Sequence, residues 1–354
     1  MKILAEKEDA SLRPIATQAA FLATGTVVGG TEKKGALGEK FDFCDPTDRF
    51  GQDTFEKAES EMQRLAFSIA LKKSGLRVRE IEALYAGDLL NQCVGSAYGL
   101  LDFDIPYFGL YGACSTSAEG LLLGALSVSA GQFSRVGVVT SSHNCSAERQ
   151  YRTPIEYGAQ KPPSAQWTVT AAGAFLLGRS AEAGARQGLS MEEKPERCVR
   201  ITEVLPGLVV DSGISDANNM GAAMAPAAAN TLSRYFSAGG TAPRDFDAIF
   251  TGDLGRFGSS LLTEMLRDGG YEIDGRHTDC GNLIYAGVEK PDVNCGGSGC
   301  GCSAAVLAAH VLPALARGEW HRVLFVATGA MMSPASLQQS LSIPAIAHLL
   351  CFES

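Results

Sequence analysis

The stretch Ile81-Glu82-Ala83-Leu84-Tyr85-Ala86-Gly87-Asp88-Leu89 returns 165 positions later as Phe246-Asp247-Ala248-Ile249-Phe250-Thr251-Gly252-Asp253-Leu254. Each copy reads as a buried apolar strand that stops at Gly-Asp. Working outward, Gly25-Thr26-Val27-Val28 is echoed by Gly207-Leu208-Val209-Val210, and Gly112-Ala113-Cys114-Ser115 by Cys300-Gly301-Cys302-Ser303. Arg135-Val136-Gly137-Val138-Val139 is echoed by Arg322-Val323-Leu324-Phe325-Val326. The echoes keep their order, and the later pairs are offset by 188 and 187, so the second copy carries an insertion ahead of its cysteine. A period this long marks a duplicated fold, not a solenoid unit of about 20–50 residues. The place to seek a site is where the two copies face each other.

Composition sets the outer limits. A chain of 354 residues, 45% apolar, has room for two domain-sized units and a large core. No run of about 18 apolar residues predicts a membrane span, and Met1 to Asp9 lacks the apolar stretch of a secretory signal. A net charge of −9 argues against nucleic acid and against unaided docking on anionic lipid. Ten cysteines in such a chain read as free thiols.

Strands and helices alternate along the chain. Asp53-Thr54-Phe55-Glu56 reads as a capping box with Asp53 as the cap. Phe55, Ala58, Met62, Leu65, Ala66, Ile69 and Ala70 then follow at helical spacing up to Gly75. A helix is predicted over about Ser117 to Ala130, where Ala118, Gly120, Gly124 and Ala125 are small enough for close packing in a central position. The polar, aperiodic segment 181–197 is the expected connection between a first half (1–180) and a second half (198–354), the two packing as one unit. Paired βα units imply layered α/β architecture.

Cys114 sits at a strand-to-helix elbow, where helix-terminal amides lower a thiol pKa and suit a nucleophile; the plainer alternative is a small buried hydrophobe. Of five histidines, His143, closing the strand Val136 to Thr140, is the one best placed to meet it. The run Cys295-Gly296-Gly297-Ser298-Gly299-Cys300-Gly301-Cys302 opens a helix over Ala304 to Leu315, and its amides can cradle an anion. It is not a P-loop, and its cysteines, even with Cys280, lack zinc-ligand spacing, so no metal site is expected. Asp88 and Asp253 are either a catalytic pair or turn caps.

With these residues in view, the chain resembles the thiolase and β-ketoacyl synthase superfamily, and within it the stage V sporulation protein AD family. The matching strings are Gly51-Gln52-Asp53-Thr54, Ala86-Gly87-Asp88-Leu89-Leu90-Asn91-Gln92, Gly112 to Ser117, Ser141-Ser142-His143-Asn144, Tyr157-Gly158-Ala159-Gln160-Lys161-Pro162-Pro163, Ala165-Gln166-Trp167-Thr168-Val169-Thr170 and Gly296 to Cys302. The resemblance implies a five-layered αβαβα thiolase-like fold of two duplicated halves, usually a homodimer. It also implies binding of dipicolinic acid (pyridine-2,6-dicarboxylate) within the SpoVA machinery. That machinery moves dipicolinate and its calcium chelate into the forespore and out again at germination. A place peripheral to the spore inner membrane, held through other SpoVA membrane subunits, follows from the same resemblance.

Condensing enzymes of the superfamily supply a His, or His and Asn, from the second half, where this chain has Thr251-Gly252-Asp253 and Cys300 with Cys302. No catalytic residue is therefore assigned; an active site, if there were one, would use Cys114 with His143. The expected ligand-binding set is Cys114, His143, Asp88, Asn91, Ser115, Lys161, Arg152, Gly299, Cys300 and Cys302, with Arg149 a further cationic candidate. No cofactor is implied beyond Ca2+ as the dipicolinate chelate, with Asp88 or Asp253 as a bridging carboxylate. An acyltransferase using Cys114 and a scaffold with an empty pocket are the competing readings.

Overall fold

A computed structural model describes residues 13–151, 161–187, 197–289, 293 and 295–354. In the first half, β1 (Ile15–Gly29) pairs in parallel with the short β2 (Phe43–Asp45). Next come α1 (Phe55–Ser74), β3 (Ala83–Gly87), α2 (Val94–Leu100), β4 (Tyr107–Gly109), α3 (Thr116–Ser129), β5 (Arg135–Ser142), α4 (Asn144–Tyr151), β6 (Trp167–Thr168), β7 (Ala171–Arg179) and α5 (Ser180–Gln187). The second half runs β8 (Arg200–Leu205), α6 (Met220–Gly239), β9 (Ala248–Thr251), α7 (Gly255–Asp268), β10 (His277–Asp279), α8 (Cys280–Ile284), β11 (Gly297–Ser298) and α9 (Cys300–Val306). A π-helical turn, Leu307–Val311, leads into α10 (Leu312–Ala316), and β12 (Arg322–Ala330), α11 (Pro334–Gln338) and β13 (Ala345–Glu353) follow.

The main sheet has the order β10-β9-β12-β13-β8-β1-β7-β5-β3-β4. Read outward from the β8/β1 seam, the two wings are the same arrangement, which is the duplication seen in three dimensions. The echoed Gly-Asp stretches become β3 and β9, and the echoed Arg-Val stretches β5 and β12. At the seam the wings are hydrogen-bonded to each other, with Ile15 opposite Val204 and Ala19 opposite Ile201. One echo departs from the strand pattern. Gly207 to Val210 lies beyond β8, because Pro206 has no amide to continue the ladder, and only Val210 bridges to Ala345.

Layering follows from which faces are apolar. Helix α3 packs on β1, β3, β5 and β7 on one side and on β8, β12 and β13 on the other, so it forms the middle layer with α9. Leu121, Leu122, Ala125 and Val128 of α3 meet Val136, Val138, Phe175 and Phe325 in the central core. The small residues of α3 allow this close fit: a Cβ on Gly120 would lie 2.7 Å from Val138 Cγ1. Helix α1 covers the outer face of the first wing with Ala58, Met62, Ala66 and Phe67, and α6 covers the second with Met224, Leu232, Tyr235 and Phe236. Each large apolar side chain so enclosed contributes about 1.5–3 kcal/mol relative to exposure.

The cap of α1 differs from the sequence reading by one residue. Thr54, extended at φ −125°, accepts from Lys57 N at 3.3 Å, while Asp53 forms an ion pair with Lys57 at 2.9 Å. Gly75 ends the helix in the left-handed conformation at φ 67°. The segment 181–197, read as aperiodic, opens within α5; residues 188–196 lie outside the described residues. No helix among the described residues is long and apolar enough to cross a membrane.

Candidate functional site

The chain leaves β4 at the sheet edge and enters α3 through a tight turn in which Ala113 is held at φ 50°. Ser115 Oγ donates to Gly112 O at 2.6 Å and Thr116 Oγ1 to Ala113 O at 2.7 Å, locking the turn from within. Strand β12 presses against it: a Cβ on Gly329 would lie 2.2 Å from Gly112 O. Cys114 is thereby fixed, buried, at the floor of a cavity of about 90 Å³. That volume holds several water-sized probes at roughly 10–15 Å³ each.

Both halves build the walls. Leu89, Tyr111, Ala147, Glu148, Tyr151, Gln166 and Thr168 come from the first, and Ala217, Asn218, Met220, Ser298, Ala330 and Met332 from the second. A two-stranded parallel ribbon ties them together: β6 pairs with β11, with Trp167 opposite Gly297 and Thr168 opposite Ser298. Trp167 N donates to Gly296 O at 3.0 Å and Val169 N to Ser298 O at 2.8 Å. This ribbon carries Gln166 and Ser298 into the site.

Around the thiol, Cys114 Sγ lies 3.7 Å from Ser298 Oγ, which donates to Asp253 Oδ2 at 3.2 Å. Gly299 N donates to the same oxygen at 2.9 Å, and Thr328 Oγ1 to Asp253 Oδ1 at 2.9 Å. Gly299 reaches this position at φ 112°, a conformation that favours glycine. Burial, and then the neighbouring Asp253 carboxylate, push the Cys114 thiol well above its ordinary pKa. Burial also raises Asp253, against the hydrogen bonds from Cys114, Gly299, Thr328 and Ser298. The elbow therefore does not activate the thiol as its helix-terminal position suggested. The helix-end effect is worth about 0.3–1 kcal/mol, up to about 2, and burial, with the Asp253 carboxylate second, outweighs it.

The remaining expected residues divide between the cavity and elsewhere. His143 does not meet Cys114. It is buried with Nε2 2.7 Å from Asp48 O, Nδ1 accepting from Cys145 N at 3.2 Å, and its ring against Phe55. Asp88 does not line the cavity: Leu90 N at 2.9 Å, Ser96 N at 2.6 Å and the Ser96 hydroxyl occupy its oxygens. It caps its own turn. Asn91 and Arg149 line a separate open depression, where Arg149 pairs with Glu56 at 3.1 Å. Cys300 and Cys302 are fully buried off the cavity, their thiols directed at Ser141 O and Gly252 O. Ser115 and Gly299 act on the turn and on Asp253, as described. Lys161 reaches the wall indirectly, through Glu148 at 2.7 Å and Gln166 O at 3.2 Å, with its ammonium 4.6 Å from the Trp167 ring centre. Arg152 lies outside the described residues.

Sequence reasoning missed Ser298, Gln166, Glu148, Tyr111 and Tyr151. The Tyr111 and Tyr151 hydroxyls bond to each other, and Tyr151 OH donates to Leu89 O at 3.0 Å. Among the described residues no histidine lines the cavity, and no group of three or more His, Cys, Asp or Glu is arranged to hold a metal ion.

The family model for stage V sporulation protein AD matches residues 13–353. The chain belongs to the stage V sporulation protein AD family. Stage V sporulation protein AD of Bacillus subtilis (strain 168) is 40% identical over 331 residues, covering 94% of this chain and 93% of that protein. Membership makes the chain a sporulation protein. Among solved structures, 3-oxoacyl-acyl-carrier-protein synthase III from Aquifex aeolicus matches at TM-score 0.56 and 12% identity, over 95% of this chain and all of that one. Cerulenin-bound OleA of Xanthomonas campestris matches at 0.58 and 14%, over 98% of this chain and 100% of that one. Human mitochondrial 3-ketoacyl-CoA thiolase in complex with CoA matches at 0.56 and 10%, over 97% and 99%. These likenesses establish the thiolase-like αβαβα fold.

Proposed function

We propose that this chain is a non-catalytic binding subunit for dipicolinic acid, serving the SpoVA machinery that moves dipicolinate and its calcium chelate into the forespore and out at germination. The observation that carries the non-catalytic part is the pairing of Cys114 with Asp253 and Ser298. A condensing thiol needs a base to take its proton and donors to stabilise the developing oxyanion. Here the ionisable group linked to the thiol through Ser298 is an acid that, after burial, opposes thiolate formation.

Family membership points to the ligand, and the cavity is compatible with it. Tyr111, Tyr151, Leu89, Met220 and Met332 offer apolar and aromatic walls to a planar ring. Lys161 and Arg152 remain the cationic candidates for a carboxylate. Calcium enters this reading only as the ligand's own chelate. Calorimetric titration with dipicolinic acid, with and without calcium and against a benzoate control, tests it. Saturable binding that Ala330→Phe abolishes by filling the cavity is expected. No heat with any form, together with an acyl adduct on Cys114 after exposure to acyl-CoA, would replace this reading with an acyltransferase.

Two associations belong to the same proposal. A homodimer through the β4 edge would cover Tyr98, Leu101, Tyr107 and Phe108, which are 72%, 68%, 38% and 45% exposed beside the open edge of the terminal strand. Attachment to the SpoVA membrane subunits at the inner membrane is the second, and co-purification from sporulating cells with and without those subunits tests it.

A further inference from the structure

Glu59 of α1 is fully buried, and among the described residues no lysine or arginine pairs with it. Its oxygens meet two hydroxyls: Ser141 Oγ lies 3.0 Å from Oε1 and Ser146 Oγ 2.6 Å from Oε2. Ser146 Oγ also lies 3.2 Å from His143 O. A serine hydroxyl has one hydrogen to give. Both of its contacts are therefore bonded only if the hydrogen between Ser146 and Glu59 belongs to Glu59. Ser141 Oγ accepts from Gln63 Nε2 at 2.8 Å and gives its own hydrogen to Oε1. The donors thus run in one direction, from Glu59 Oε2 to Ser146 Oγ to His143 O.

The surroundings call for a neutral acid at this position. A Cβ on Gly95 would lie 3.2 Å from Asp88 Cγ and 3.4 Å from Glu59 Cγ, so the two acids approach each other across a glycine. Asp88 takes hydrogens from Leu90 N, Ser96 N and the Ser96 hydroxyl, a partner set that favours the ionised form. A second unpaired charge buried beside it would be costly. Burial, and then Asp88, raise Glu59 to about 8, against its hydrogen bonds with Ser146 and Ser141. Burial raises Asp88 too, but its amide donors leave the proton with Glu59. The other groups facing the pair are Cys300 of α9, Cys93 ahead of α2, Tyr107 of β4, and Glu56 on the same helix, which pairs with Arg149 of α4. The contacts from α2 and β5, Gly95, Ser96 and Ser141, do not titrate.

We propose that Glu59 is held as the carboxylic acid and that its proton ties solvent acidity to the wall of the Cys114 cavity. His143 O accepts from Ser146 and from Ala147 N, at 3.0 Å, in the first turn of α4. That helix carries Ala147, Glu148 and Tyr151 into the cavity. On ionisation the Glu59 proton leaves to solvent through the open depression that Ser146 lines. Ser146 then turns its hydrogen to the new carboxylate, His143 O loses one donor, and a second charge faces Asp88. Both changes loosen the first turn of α4 and the turn 88–93, where Gln92 and Cys93 are held at φ 57° and 53°. The device is independent of which ligand the cavity takes.

Infrared difference spectra of the wild type against Glu59→Gln, whose amide can donate to Ser146 in place of the acid, detect the proton directly. At about pH 6 the carbonyl band of a protonated carboxyl is expected in the wild type and lost in the variant, and in the wild type it is expected to fade above about pH 8. Hydrogen exchange of the 144–151 and 88–93 amides, taken as the wild-type rate over the variant rate, reads the link. An opening that wets Glu59 returns it to its ordinary value of 4.5, so this ratio is expected to rise about tenfold per pH unit from about 4.5 to about 8 and then level. Identical infrared spectra at about pH 6 would overturn the protonated acid. The band with a ratio that stays flat across pH would overturn the link to the wall. Should Glu59→Gln not fold, Ser146→Ala reports the same bond. Its acid band is expected to move to higher wavenumber as the O–H loses its acceptor, and an unmoved band would overturn the assignment.

Discussion

Replacing Asp253 by Asn isolates the charge that adds to burial in holding the Cys114 thiol up. The side chain keeps its shape, and the Thr328 and Ser298 hydroxyls can rotate to serve either an oxygen or an amide. The two links Sγ–Ser298 and Ser298–Asp253, 3.7 and 3.2 Å long, put the sulfur within about 7 Å of the carboxylate. At an effective dielectric constant of about 20, a unit charge at about 4–7 Å acts with about 2–4 kcal/mol. That energy corresponds to a rise of about 30- to 1,000-fold in the thiolate fraction below the thiol pKa, at about 1.4 kcal/mol per tenfold. Iodoacetamide labelling across a pH series, read by mass spectrometry on the Cys114 peptide, measures it. At a fixed pH below the wild-type thiol pKa, the variant is expected to alkylate roughly 100-fold faster or more, the thiolate fraction being the reactive species. An unchanged rate and pH profile, in a variant that unfolds at the wild-type temperature, would refute the electrostatic account and leave burial alone as the cause.

Glu32→Gln probes a buried acid of the first half, which is 1% exposed, accepts from Tyr285 OH at 2.5 Å and is raised by burial to a pKa of about 7. A folded pKa above the ordinary 4.5 means the native state holds the proton longer. Stability is therefore expected to drop as pH rises from about 4.5 to about 7 in the wild type, and the variant to lack that slope and gain about 1–3 kcal/mol above it; urea melts across pH check this. Gly299→Ala places a Cβ 2.5 Å from Ser142 Oγ at φ 112°, and a loss of about 1–3 kcal/mol is expected in the same melts. Leu121→Ala, in the middle layer with no exposure, is expected to cost about 2–5 kcal/mol. Phe108→Glu should shift sedimentation from dimer to monomer if the β4 edge is the interface, and leave it unchanged if another face is used.

The duplicated fold was legible because β3 and β9, and likewise β5 and β12, are buried on both faces and need the same apolar runs. The site was less so. The repeat aligned Cys114 with Cys302, which drew attention to Cys300 and Cys302, but those thiols sit inside α9. The residue that reaches Cys114 is Ser298, on a strand of two residues too short to carry a periodic signal; the glycines on either side of it were the available sign. His143 follows β5 closely, but the chain turns there and aims the ring at Phe55. Asp88 and Asp253 show how one motif diverges: the first is saturated by its own turn, and the second faces the partner half.

The hydrogen-bonded seam between β1 and β8 bears on how anything enters or leaves. Two lobes joined through a ladder and a shared helical layer cannot swing apart like a hinged jaw without tearing both. Traffic to the cavity must pass through side chains and short connections at its rim. The same seam implies that two separately expressed halves would find each other, since each carries one side of an unfinished sheet. A split form of the chain would then report, by whether it reassembles, how much of the binding site depends on the covalent link.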